Sequence, residues 1–162
     1  MLKHNTTLCD LVKILPNTVE QFIDAVGKNS AFLIGGPYVE SNGVPARTPR
    51  RPVPVYRSGT RIFLLDARKQ DKWAVGRHDD NDIVIGEPTV SEFHCVVELL
   101  GNMYRILDIG STNGTRVNRR KINDYQILFD SSSLSFGLSD SVYSFHMPSS
   151  AYRLCKAFIE EF

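Results

Sequence analysis

Two hydrophobic rhythms divide the chain. Near the N-terminus, Val19, Phe22, Ile23 and Val26 recur at i, i+3, i+4 and i+7, the spacing of one helical face. Thr18-Val-Glu-Gln21, just after Pro16, fits a capping box that would start this helix, and Gly27 suits its end. The next apolar run, SAFLI at 30–34, is too short for its period to separate helix from strand. Residues 1–34 are thus expected to form a helical N-terminal extension. Residues 35–57 are rich in Pro and Arg and carry no helical period, which predicts an extended linker.

From residue 58 the rhythm changes. Short β-prone runs alternate with turn residues: TRIFLLD, KWAVG, DIVIG, EFHCVVELL, MYRILDI, GTRVN, RKI, YQILFD, SLSFG and SVYSFHM. No helix-length period interrupts them, so residues 58–147 are expected to form a mainly β sandwich or barrel. Beyond it, Ser149 or Ser150 can cap a C-terminal helix within 148–162. Ala151, Cys155, Phe158 and Phe162 would then pack as one stripe on the sandwich.

Composition narrows the function classes. The net charge is +1, so no global field points to nucleic acid or membrane. Cys9, Cys95 and Cys155 are an odd set without close pairing, as expected of free thiols in a reducing compartment. No apolar run approaches membrane-spanning length, and the first residues lack the apolar segment of a signal peptide. The expected location is the cytoplasm, or the nucleus for a eukaryotic source, with no membrane partner.

Three polar islands interrupt the strands: GRHDDND at 76–82, TVSEFH at 89–94 and GSTNGT at 110–115. In a sandwich, such strand-end loops gather on one rim. They offer Arg77, Ser91, Thr112 and Asn113, which are a guanidinium, two hydroxyls and an amide. This set suits a phosphate dianion, because a guanidinium makes a charge-assisted fork and hydroxyls fill the remaining oxygens. Hydrogen bonds to a charged group contribute roughly 1.5–3 kcal/mol each. After the cost of ordering a peptide, about −8 kcal/mol, or micromolar affinity, is expected.

Other chemistries fit less well. Ser91 and His94 have no acid placed to orient the imidazole, so a nucleophile–base pair is not expected. An EF-hand loop starting at Asp80 would need an oxygen ligand and a glycine where Val84 and Ile85 stand. The histidines and cysteines lack zinc spacing. No metal and no cofactor are expected.

Gly76-Arg77, then Ser91-x-x-His94, then Thr112-Asn113-Gly114, spaced through β-strands over residues 58–147, resemble the forkhead-associated (FHA) family. The resemblance implies an FHA-type sandwich of about eleven strands whose rim loops bind phosphothreonine, without enzymatic activity. Carried over residue by residue, Arg77, Ser91 and Thr112 lie at the phosphate, and Asn113 binds the ligand backbone. Gly76, His94 and Gly114 are architectural. Two departures stand out. The residue after the motif serine, often basic or amidic in the family, is Glu92, a carboxylate that costs affinity unless it turns outward or selects a basic ligand residue. The following hairpin, often Asn-Gly in the family, reads Asn118-Arg119-Arg120-Lys121, which either offsets Glu92 or is a solvated tip.

The expected function is therefore a phosphothreonine-peptide-binding signalling adaptor. Its partners would be a phosphothreonine protein written by a Ser/Thr kinase, with the chain's own phosphorylated N-terminal segment as one candidate. Thr48, within ARTPRR, is a candidate acceptor, and Thr6 and Thr7 are others. One rival is a phosphate-independent scaffold or dimerisation module on the same fold. The least favoured is nucleic-acid binding through the basic linker and hairpin.

Overall fold

The computed structural model describes residues 6–37, 60–139 and 141–160. Among these, eleven strands form two sheets packed face to face, with three helices. One sheet has six strands. Its sequence order begins with β1 (Ala31–Pro37) and β2 (Arg61–Leu65). The other has five, beginning with β3 (Lys72–Gly76) and β4 (Ile83–Val84). They are followed by β5 (Cys95–Leu100), β6 (Met103–Asp108), β7 (Thr115–Val117) and β8 (Arg120–Lys121). Last come β9 (Tyr125–Leu128), β10 (Ser133–Phe136) and β11 (Ser141–His146). Strand order is β2-β1-β11-β10-β7-β8 in the first sheet and β4-β3-β5-β6-β9 in the second. The mainly β sandwich expected from the alternating runs is what the chain adopts.

The core between the sheets follows from period-2 alternation. Leu33, Phe63, Leu65, Trp73, Val75, Val97, Tyr104, Ile106, Phe136 and Phe145 all turn inward into one cluster. Each such side chain stabilises the fold by roughly 1.5–3 kcal/mol relative to exposure.

The six-stranded sheet is covered on its outer face too. Phe32, Ile34 and Ile62 point away from the first core into a second cluster with Leu11, Phe22, Val26, Ala151, Tyr152, Cys155 and Phe158. These come from α1 (Leu8–Lys13), α2 (Val19–Val26) and α3 (Pro148–Glu160). A strand buried on both faces loses its alternation and reads as one apolar run. That is why SAFLI did not declare itself.

One boundary and one helix cap need correction. Residues 1–34 are not a purely helical extension. Ala31–Pro37 forms β1, paired with β11 from Phe32↔His146 to Pro37↔Ser141 and with β2 on its other side. The sandwich accordingly begins before residue 58. The C-terminal helix starts at Pro148 rather than after Ser149 or Ser150, since proline is well suited to the first helical turn. Its stripe residues Ala151, Cys155 and Phe158 are buried against the sheet. Phe162 and residues 38–57 of the linker, with Thr48, lie outside the described residues.

The starts of α1 and α2 are set by hydroxyls. Thr18 Oγ1 accepts the Gln21 N–H at 3.2 Å. A capping box not read from the sequence joins Thr7 and Asp10. Thr7 Oγ1 donates to Asp10 Oδ2 at 2.8 Å, and Thr6 is buried against β2, where its carbonyl accepts the Ile62 N–H. Phosphorylation of either threonine would have to undo this packing first. No helix among the described residues is long and apolar enough to cross a membrane.

Candidate functional site

The three polar islands meet. β3 ends at Gly76, and the chain runs on against the 85–94 loop: Arg77 N–H donates to Ser91 O at 3.0 Å and His78 N–H to Glu92 O at 3.1 Å. Gly76 is required for this approach, because a Cβ there would fall 2.2 Å from the Glu92 carbonyl oxygen. Arg77 is exposed, and its Nε donates to Val90 O at 3.0 Å. That contact aims the side chain along the Ser91 loop and leaves both terminal nitrogens of the fork to a ligand.

Ser91 joins this loop to the third island. Its Oγ accepts the Thr112 N–H at 3.0 Å. A hydroxyl has one donor and two lone pairs, so the Ser91 O–H remains free to donate. Asn113 uses Nδ2 to hold Thr89 O at 3.0 Å. Its second amide hydrogen and its oxygen are available for the backbone of an extended peptide. Thr112 is exposed beside them.

His94 is the brace beneath. It is fully buried, with Nδ1 accepting the Ser91 N–H at 3.1 Å and Nε2 lying 2.9 Å from the Gly114 carbonyl. This pairing requires the neutral ring with its hydrogen on Nε2. Burial pushes the His94 pKa down, partly opposed by the Gly114 carbonyl and the Asp108 charge. Gly114 sits at φ +86, where a side chain is strained.

Four supports were not read from the sequence. Asn81, 3% exposed, donates through Nδ2 to His78 O at 2.8 Å and Glu92 O at 2.7 Å, locking the first island to the second. Asp108 folds the third island around its carboxylate. Oδ1 accepts Gly110 N–H and Ser111 N–H, and Oδ2 accepts the Ser111 and Thr115 hydroxyls. Burial pushes the Asp108 carboxyl up, but those hydrogen bonds together outweigh it and hold its pKa below the usual range. Gly137 packs so closely on Thr89 that a Cβ would lie 2.3 Å from its carbonyl, while Leu138 N–H donates to Thr89 Oγ1. Asp108 opens a polar run and was legible as a side chain that folds back on the N–H groups two and three residues on. Asn81 carried no such signal.

The basic hairpin divides. Asn118 and Arg119 form the turn, with φ of 49° and 70°. Asn118 N–H donates to Ser133 O, at the opposite end of β10 from Gly137. Arg119 thus lies at the turn away from the rim, and Arg120, opposite Val117, lies one residue further from it than Lys121. Lys121 alone returns to it, with its stem over Gly114, where a Cβ would fall 2.6 Å from Lys121 Cε. Glu92 is exposed, with its backbone fixed by the two carbonyl contacts above.

A second histidine, His146, lies among hydroxyls away from the rim. His146 Nε2 lies 2.7 Å from Ser144 Oγ, and its Nδ1 lies 2.8 Å from Ser150 Oγ and 3.8 Å from Asp130. Ser144 is 7% exposed, so its hydroxyl is buried with the ring. Among the described residues no group of His, Cys, Asp and Glu has metal-binding geometry.

Comparison with known proteins adds to this geometry. The FHA domain family model matches residues 73–137. The oxoglutarate dehydrogenase inhibitor of Corynebacterium jeikeium (strain K411) is 46% identical over 61 residues, which are 38% of this chain and 40% of that protein. The glycogen accumulation regulator GarA of Mycolicibacterium smegmatis is 43% identical over 61 residues, 38% of this chain and 37% of its own length. The match thus spans about two fifths of these curated relatives. Among solved structures, Mycobacterium tuberculosis EmbR in complex with a low affinity phosphopeptide superposes with a TM-score of 0.53 at 23% identity. That alignment covers 79% of this chain and 29% of that one, and at this identity the likeness speaks to the fold.

Proposed function

We propose that this chain, whose residues 73–137 are an FHA domain, is a non-enzymatic regulator that binds phosphothreonine segments of partner proteins at the 76–82, 89–94 and 110–114 rim. The observation that carries the reading is the latch between Ser91 Oγ and Thr112 N–H, beside the Arg77 fork and the Asn113 amide. One exposed edge then holds a cation, a free hydroxyl donor and an amide suited to a peptide backbone. Arg77 and Ser91 anchor the phosphate, Thr112 borders it, and Asn113 orders the ligand backbone. Gly76, His94 and Gly114 fix the loops.

The names of the relatives, an inhibitor and a regulator, support control of another protein rather than catalysis. The partner on this reading is a phosphoprotein written by a Ser/Thr kinase. A protein acting this way would work in the cytoplasm, where kinases and reduced thiols coexist.

Calorimetry with a degenerate phosphothreonine peptide pool tests the anchor. Wild type should bind with micromolar Kd, about −8 kcal/mol, and ignore the unphosphorylated pool. Arg77→Ala should lose this binding while its melting temperature stays unchanged. Equal binding by Arg77→Ala and wild type would overturn the assignment.

A further inference from the structure

We infer that the rim selects a charge-polarised ligand: a basic side chain on the flank that passes Glu92 and an acidic one on the flank that passes Lys121. This rests on the phosphothreonine reading and adds to it the chemistry of the partner's sequence.

The two charges bracket the anchor. Contacts run in one line from Glu92 to its neighbour Ser91, through Ser91 Oγ to Thr112, then through Asn113 to Gly114 and the overlying Lys121. Glu92 sits on the Arg77 side of that line, where its carbonyl accepts from His78 and Asn81. Lys121 sits on the far side. Its backbone is held by pairing with Arg116 and by the Ile122 N–H to Thr115 O bond, and its stem lies on Gly114. Neither charge can cross to the other flank without breaking these contacts.

Both side chains are exposed, and neither makes an ion pair within 4.0 Å among the described residues. They are available to a ligand. Behind Lys121 a groove of about 670 Å³ runs between β8 and β9, lined in part by Asn118, Arg120, Asn123, Asp124 and Gln126. It has two cations to one carboxylate, which favours an acidic flank. Glu92 stands at the other end, where an acidic flank would meet like charge.

An oriented phosphothreonine library, degenerate on both flanks and paired with its unphosphorylated form, tests this on wild type, Lys121→Glu, Lys121→Gln and Glu92→Lys. Wild type should enrich Lys or Arg on one side of the phosphothreonine and Asp or Glu on the other. Lys121→Glu should reverse only the acidic side, Lys121→Gln should flatten it, and Glu92→Lys should reverse only the basic side. Exposed pairs are weak, so each preference should be about two- to fivefold and shrink at high salt. If both substitutions move the same side, or neither moves any, the inference is overturned. If wild type retains the two libraries equally, the phosphothreonine reading itself fails, and the inference with it.

Discussion

Ser91 Oγ accepts the backbone N–H of Thr112 at 3.0 Å, so one hydroxyl both latches two loops and keeps its hydrogen for a ligand. Ser91→Ala removes both roles. We expect phosphothreonine-peptide affinity to fall about 10- to 100-fold, the worth of one hydrogen bond to a charged group. The freed Thr112 N–H is at an exposed site and can turn to water, so thermal stability should change little. Calorimetry and a melting curve on the same sample check this, and a large drop in melting temperature would count against it.

Gly76 and Gly86 make a matched pair. A Cβ at Gly76 would strike the Glu92 carbonyl at 2.2 Å, while one at Gly86 meets nothing within 4 Å. Gly76→Ala should cost about 1–3 kcal/mol through overpacking and should displace the Ser91 loop. Gly86→Ala should be neutral in both stability and binding. Urea unfolding of the two variants, side by side, separates a backbone clash from a general glycine effect.

Asn81 holds two carbonyls with one amide nitrogen. Asn81→Asp keeps the shape, deletes both donors and sets a carboxylate against His78 O and Glu92 O. The expected loss is at least about 2 kcal/mol, since a buried carboxylate then faces two carbonyl oxygens that keep only their backbone donors. It should narrow as pH is lowered, because a protonated carboxyl regains one donor. An equally stable Asn81→Asp at neutral pH would show that this bridge does not hold the islands together.

Burial lowers the pKa of both His94 and His146 in the folded chain. The unfolded chain takes up protons at the ordinary value, about 6.5, before the folded one does. Stability should therefore be level above that pH and decline as pH falls toward 5. The slope can reach about 1.4 kcal/mol per pH unit for each histidine. Protonated His94 would also lose its bond from the Ser91 N–H, and because its folded pKa is lowered, peptide affinity should begin to weaken only at lower pH than the decline in stability. Unfolding midpoints at pH 7.5, 6.5 and 5.5, with ring nitrogen NMR to follow the Nε2–H tautomer, test the sign. Stability that rises on acidification would contradict it.

Local chemistry made the rim legible. Arg77, Ser91, Thr112 and Asn113 sit in polar islands at strand ends, and turn chemistry reads well from sequence. Less visible was anything set by distant packing. β1 looked like helix or strand because Phe32 and Ile34 are buried by helices while Ala31 and Leu33 face the core. Its partner β11 lies more than a hundred residues away. The hairpin cations looked equivalent until the register placed Lys121, but not Arg119 or Arg120, at Gly114. Asn81 read as another loop amide, because a buried bridge between two carbonyls leaves no pattern along the chain.

The most direct measurement is a nitrogen-15 amide NMR titration of the full chain with a degenerate phosphothreonine peptide pool and, separately, its unphosphorylated form. We expect the phosphorylated pool alone to shift Arg77, Ser91, Thr112 and Asn113 together, with the α1–α3 layer unmoved. Shifts that avoid those four amides, or that appear equally with the unphosphorylated pool, would contradict a phosphothreonine site at this rim.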